Sequence, residues 1–134
     1  MSLTDWIVAL HLLAAFALVA ALILFWAVFL ALASGGEAPA LSGMARIGGI
    51  VIGIGVAGTL IFGIWLALAI DGYALWDGWI IAALVLWVVG TGAGDMAGRA
   101  SREPGGLQRA MVLHGISSVA VLLVLVDMVW KPGA

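Results

Sequence analysis

Between Asp5 and Glu37 the chain carries no charged residue, and three more uncharged runs follow at 47–70, 78–94 and 110–126. A hydrocarbon core of about 30 Å calls for about 20 apolar residues per helix, with roughly 17–25 seen in practice. The four runs meet that requirement, the last two with weakly polar flanks, and predict helices at about 5–33, 45–70, 76–98 and 107–130. They are rich in Ala and Leu, too long for strands, and lack the ten-residue alternation of a transmembrane barrel. In lipid each backbone N–H and C=O needs a partner within its own segment or in a closed sheet, which leaves a helical bundle. The pattern predicts an all-α, polytopic membrane protein, an up-down bundle of four transmembrane helices forming a single membrane domain over 1–134.

Composition agrees: 66% of the 134 residues are hydrophobic and 9% charged, where a soluble domain has roughly one half and one quarter. Cysteine is absent, which excludes disulfides, thiolate metal sites and thiol redox chemistry. "ALAS" at 31–34 resembles a cleavage site, but a signal peptide has a basic start and an apolar region of about 7–15 residues. Here Asp5 stands at the start without Lys or Arg, and the uncharged run extends from 6 to 36, so a retained helix is expected.

Four spans place both termini and the 71–77 loop on one side, and the 34–46 and 95–109 loops on the other. Arg46, Arg99, Arg102 and Arg109 share the second side, with Lys131 alone on the first. The positive-inside rule then makes the Arg-bearing loops cytoplasmic and puts both termini outside. Asp5, Asp71, Asp77 and Asp127 fall on the outer side. Trp6, Trp65, Tyr73, Trp76, Trp79 and Trp130 also lie toward that face, and Trp26 and Trp87 elsewhere. The outer aromatics read as an interfacial belt or, alternatively, as the lining of a pocket that opens outward.

Helix two holds Gly48, Gly49, Gly53, Gly55, Gly58 and Gly63. At about 100° per residue, Gly49, Gly53, Val56, Leu60 and Gly63 form one stripe, and Gly48, Gly55 and Gly58 a broad second one. Small-xxx-small spacing such as Gly49-xxx-Gly53 lets backbones pack closely in lipid. The expected role is packing within the bundle or in a homodimer through helix two; the alternative is room for a flat cofactor or lipid. "VVGTGAGDMAGRA" at 88–100 mimics a dinucleotide fingerprint through Gly92, Gly94 and Ala97. That motif needs a strand, a turn, a helix and an acid about 20 residues on, whereas Pro104, Gly105 and Gly106 interrupt this chain, so 88–100 reads as a helix end.

Ionisable residues inside a span are functional candidates by default, and here they are His11, His114 and Asp127. His11 lies five residues past Trp6, about 7 Å below the outer interface, and His114 lies similarly deep from the inner one. In a core about 30 Å thick the two imidazoles are about 15 Å apart along the membrane normal, too far to share one iron. A haem b could use either histidine singly or with a methionine: Met128 lies near the depth of His11, and Met111 is one turn from His114. The other reading is a neutral imidazole hydrogen-bonded to a neighbouring helix. Asp127 and Lys131 have the favourable i, i+4 order for an ion pair, with a His11–Asp127 pair as the alternative. Asp95 and Arg99 share that spacing, and Ser117 and Ser118 are expected to bond to carbonyls a turn earlier. No catalytic triad, paired carboxylates or metal cluster emerges.

"LHLLAAF" at 10–16, "GTLIFGIWLAL" closing helix two, "LWDGWI" opening helix three and "DMVWKPG" at 127–133 resemble a domain-of-unknown-function family of small bacterial four-helix integral membrane proteins. The helix-one histidine is also similar to that of copper-resistance D-type membrane proteins and of the haem-dependent, J-type protoporphyrinogen oxidases. The first likeness implies the bacterial cytoplasmic (inner) membrane. The second implies that His11 is a ligand or redox-site residue. Three functions follow: a non-enzymatic accessory, assembly or lipid-interacting bundle; a haem- or porphyrin-binding redox protein centred on His11; and an oligomeric small channel or transporter. The expected partners are the lipid bilayer and a second copy, with no nucleic acid.

Overall fold

The computed structural model describes residues 2–132. These form four helices, α1 (Leu3–Ala33), α2 (Ala38–Ala69), α3 (Gly78–Ala100) and α4 (Leu107–Trp130), with no strand among the described residues. Each is long and apolar enough to cross a membrane, and the chain is an all-α membrane bundle running up and down. The end that carries residue 2 and Lys131 is called here the terminal end, and the end with the α1–α2 and α3–α4 loops the far end.

Local chemistry sets the helix limits. Ser2 caps α1, its hydroxyl accepting from the Asp5 N–H at 3.1 Å while the Asp5 carboxylate accepts from the Ser2 N–H at 2.7 Å, a reciprocal box that satisfies two orphan donors. Gly35, at φ +91°, turns the chain in a left-handed conformation that costs glycine little. α2 then begins at Ala38, seven residues before the apolar run predicts, with Pro39 in its first turn. An uncharged run measures the part of a helix inside hydrocarbon, and the helix itself continues into the polar interface. With 31 and 32 residues, α1 and α2 are each about 47 Å long at 1.5 Å per residue.

α1 packs along α2, and α3 along α4, so the bundle is two helical hairpins. In the first, a methyl group at Gly55 would lie 2.6 Å from the Leu18 nitrogen, and one at Gly58 2.6 Å from the Ala14 Cβ. Gly48 faces Phe25 and Leu24 in the same seam. In the second hairpin Gly90 meets Ala120, and Gly94 meets the Ser117 hydroxyl. The hairpins join where α1 crosses α4. Phe29, Ala100 and Ala110 are buried together at the far end, and Ala67, Trp79 and Ile80 at the terminal end. Outward-facing residues such as Phe16 (71% exposed), Ile54 (62%) and Leu122 (58%) give the bundle an apolar exterior suited to acyl chains.

Candidate functional site

In the terminal half the two hairpins leave between them a cleft of about 430 Å³, within the roughly 300–1,000 Å³ usual for small-molecule sites. All four helices contribute walls, including Leu12 and Leu18 from α1, Leu60 from α2, Leu84 from α3 and Leu125 from α4. The lining is overwhelmingly apolar, so its few polar groups fix what it can bind.

On the α2–α3 side, the Trp87 indole donates to the Thr59 hydroxyl at 3.3 Å, and Thr59 in turn donates to the Gly55 carbonyl at 2.7 Å. Thr59 and Trp87 bridge the hairpins, and the sequence reading assigned neither a role. The signal was present: Thr59 is the one hydroxyl-bearing residue in the 47–70 run, and Trp87 lies mid-span, away from any interface.

His11 projects from α1 toward Gly63 of α2, where a methyl group would come 3.1 Å from the imidazole Cε1. The absent side chain makes room for the ring, which lines the cleft with a buried Nδ1 that has no hydrogen-bond partner. At the cleft mouth, Lys131 Nζ donates to the Tyr73 hydroxyl at 2.6 Å. The same ammonium lies 4.8 Å from the Tyr73 ring centroid and 5.5 Å from that of Trp79. The two rings meet edge to face at 5.1 Å. Trp79 is 5% exposed, and its indole N–H is buried without an acceptor.

The outer aromatics therefore divide. Trp6, Trp65, Trp76 and Trp130 are 47–79% exposed, as in a belt, while Tyr73 and Trp79 line the cleft.

His114 is elsewhere. It is 3% exposed, with its Nε2 2.9 Å from the Leu22 carbonyl oxygen of α1. Trp26, Phe29 and Phe25 surround the ring at centroid distances of 5.0, 5.3 and 6.1 Å. Ser118 donates to the His114 carbonyl at 2.8 Å and accepts from the Trp26 indole at 3.0 Å. These groups are mutually satisfied and form the polar part of the α1–α4 crossing. Leu22 stands eleven residues along α1 from His11, about 16 Å at 1.5 Å per residue, so the two histidines occupy different levels.

The ion pair expected between Asp127 and Lys131 is not formed. Lys131 lies one residue beyond α4 with φ 46°, so helical i, i+4 geometry does not apply and its side chain turns to Tyr73. Nor does His11 take its place, because His11 Nδ1 and Asp127 Oδ2 are both buried without partners. The α3–α4 register that sets Gly90 against Ala120 places Asp127 level with Ala83, and Asp127 does not line the cleft. The pair with matching spacing at the far end does form, with Arg99 2.6 Å from Asp95 on the exposed surface.

The glycines of α2 also divide. Gly55, Gly58 and Gly63 lie against α1, whereas Gly49 and Gly53 have nothing within 4 Å. The expected stripe running from Gly49 through Gly53 to Gly63 is thus split, because the α1–α2 contact is centred on Gly55 and Gly58. Among the described residues no three His, Cys, Asp or Glu side chains converge to hold a metal ion. No protein-family model matches the chain, and searches of curated proteins and of solved structures give no match.

Proposed function

We propose that this chain is a non-enzymatic, lipid-interacting membrane bundle that holds one elongated apolar molecule between its two hairpins. The carrying observation is the cleft itself, of about 430 Å³ and walled by aliphatic side chains from all four helices. An acyl or isoprenoid chain would gain dispersion contacts from the apolar walls that face the empty space. Organic extraction of the detergent-purified protein should yield a retained apolar molecule, and Ala15→Phe, which fills the cleft, should lose it. A wild-type extract no different from a detergent blank would sink this reading.

We take the Arg-bearing far end to be cytoplasmic, because Arg46, Arg99, Arg102 and Arg109 all belong to it. The chain has no cysteine of its own, so single cysteines introduced at Ser2 and Arg102 can be labelled selectively. An impermeant maleimide should reach the first alone in intact cells.

The position of His11 in the cleft wall supports a second reading, a haem b held in the same cleft. Met128 lines that cleft as well and offers a thioether, while Lys131 at the mouth suits a propionate. The likeness of the helix-one histidine to copper-resistance D-type and J-type oxidase bundles points to the same residue. A bound haem would supply one-electron chemistry. A Soret band in protein expressed with ample haem, lost on His11→Ala and kept on His114→Phe, is the expected sign; a colourless preparation removes this reading.

A further inference from the structure

Resting on the lipid-binding reading, we infer that the molecule held in the cleft is an anionic lipid, its acidic head group docked on Lys131 and its chain along the apolar walls. Lys131 is the one charged residue among those lining the cleft. Its ammonium has three donors and no acceptor. One donor goes to the Tyr73 hydroxyl, and among the described residues no carboxylate pairs with it. The Tyr73 hydroxyl holds the cation at the mouth, with the Trp79 ring centroid 5.5 Å away, within range of the attraction of a ring quadrupole for positive charge, where a lysine at a helix end would otherwise extend outward into water.

The surrounding polar groups add donors. Tyr73 accepts from Lys131, which leaves its own hydroxyl proton to donate. Trp79 is 95% buried by its 5% exposure, and its N–H, a donor only, has no acceptor. Two ammonium protons and a phenol therefore lie at one end of an apolar cleft with no acid in its wall, beside the buried, unpartnered indole N–H of Trp79. Phosphate or carboxylate oxygens complete such a set, since charge-assisted hydrogen bonds are the strong ones. A phosphate already neutralised by its own quaternary ammonium, or a neutral hydroxyl head group, leaves the charge of the ammonium unmatched, and so does a hydrocarbon without a head group.

The test uses the full chain in nanodiscs of equal parts phosphatidylcholine and phosphatidylglycerol, with retained lipid read by native mass spectrometry after release. Wild-type protein should retain phosphatidylglycerol about tenfold over phosphatidylcholine, whose phosphate is neutralised by its own choline, a factor that corresponds to about 1.4 kcal/mol. Lys131→Gln should bring the two lipids near parity without reducing the total retained. Lys131→Arg and the far-end variant Arg102→Gln should keep the preference. Parity in the wild type, or an unchanged preference in Lys131→Gln, overturns the inference. Displacement of the lipid by inorganic phosphate alone also overturns it, in favour of a free-anion site. Retention of neither lipid by any variant overturns the cleft reading as well, which separates the two failures.

Discussion

His114 of α4 and the Leu22 carbonyl of α1 meet at 2.9 Å inside a cage of three aromatic rings. The contact couples the two hairpins at the level where they cross. His114→Ala removes both the bond and a buried ring, and should destabilise the bundle by about 2–4 kcal/mol. His114→Phe should recover much of the packing. His11→Ala, which empties part of a cleft wall and breaks no bond through Nδ1, should cost clearly less. Unfolding in mild detergent, compared across the three variants, measures the order.

Gly55 and Gly53 are two residues apart and should respond oppositely. At Gly55 a methyl group would meet the Leu18 backbone at 2.6 Å, which flexible side-chain movement cannot relieve, so Gly55→Ala should cost about 1–3 kcal/mol, as overpacking does. At Gly53 a methyl group meets nothing within 4 Å. Gly53→Leu should leave the melting temperature of the monomer unchanged, and any loss of cross-linked dimer on this substitution reports packing between copies through α2.

Trp87 and Thr59 tie α2 to α3 by one hydrogen bond. Side-chain hydrogen bonds between membrane helices average about 0.6 kcal/mol, enough to bias the seam and too little to lock it. Spin labels at Ile61 and Val88, both exposed, should show a broader and longer distance distribution in Trp87→Phe than in the parent. An unchanged distribution would show that packing at Ala67, Trp79 and Ile80 holds the seam without the bond.

The Asp95–Arg99 pair is exposed on both sides, at 74% and 62% for Arg99 and Asp95 side chains. Arg99→Ala should therefore change stability by no more than about 0.5 kcal/mol, read in the same unfolding assay.

The positions of the four helices could be read directly from the charges, because an ionised side chain in hydrocarbon is expensive wherever it occurs. The start of α2 could not, since Pro39 and Arg46 sit in α2 outside the uncharged run, where polarity no longer marks a boundary. The spacing of Gly49, Gly53, Gly55 and Gly58 shows that close approach is available on two faces; which face meets α1 depends on how the hairpin turns at Gly35. The depth estimate for His11 and His114 separated them correctly because helical rise is a property of the backbone alone. The Asp127–Lys131 pairing failed for a related reason: the rule assumes a continuing helix, and α4 stops at Trp130. Tyr73 and Trp79 among the outer aromatics mark the cleft as one of two readings, but its walls have no signature, because aliphatic residues lining a gap look like aliphatic residues packed in a core.

Thr59 and Trp87, hydrogen-bonded from α2 to α3, both line the cleft, so a route opened between them would lead to the neighbouring acyl chains. A molecule arriving by that route never crosses water and gains little from leaving water, because it is already dissolved in hydrocarbon. The occupancy of the proposed lipid would then follow its mole fraction among the neighbouring lipids, and dilution of the aqueous phase would leave it unchanged.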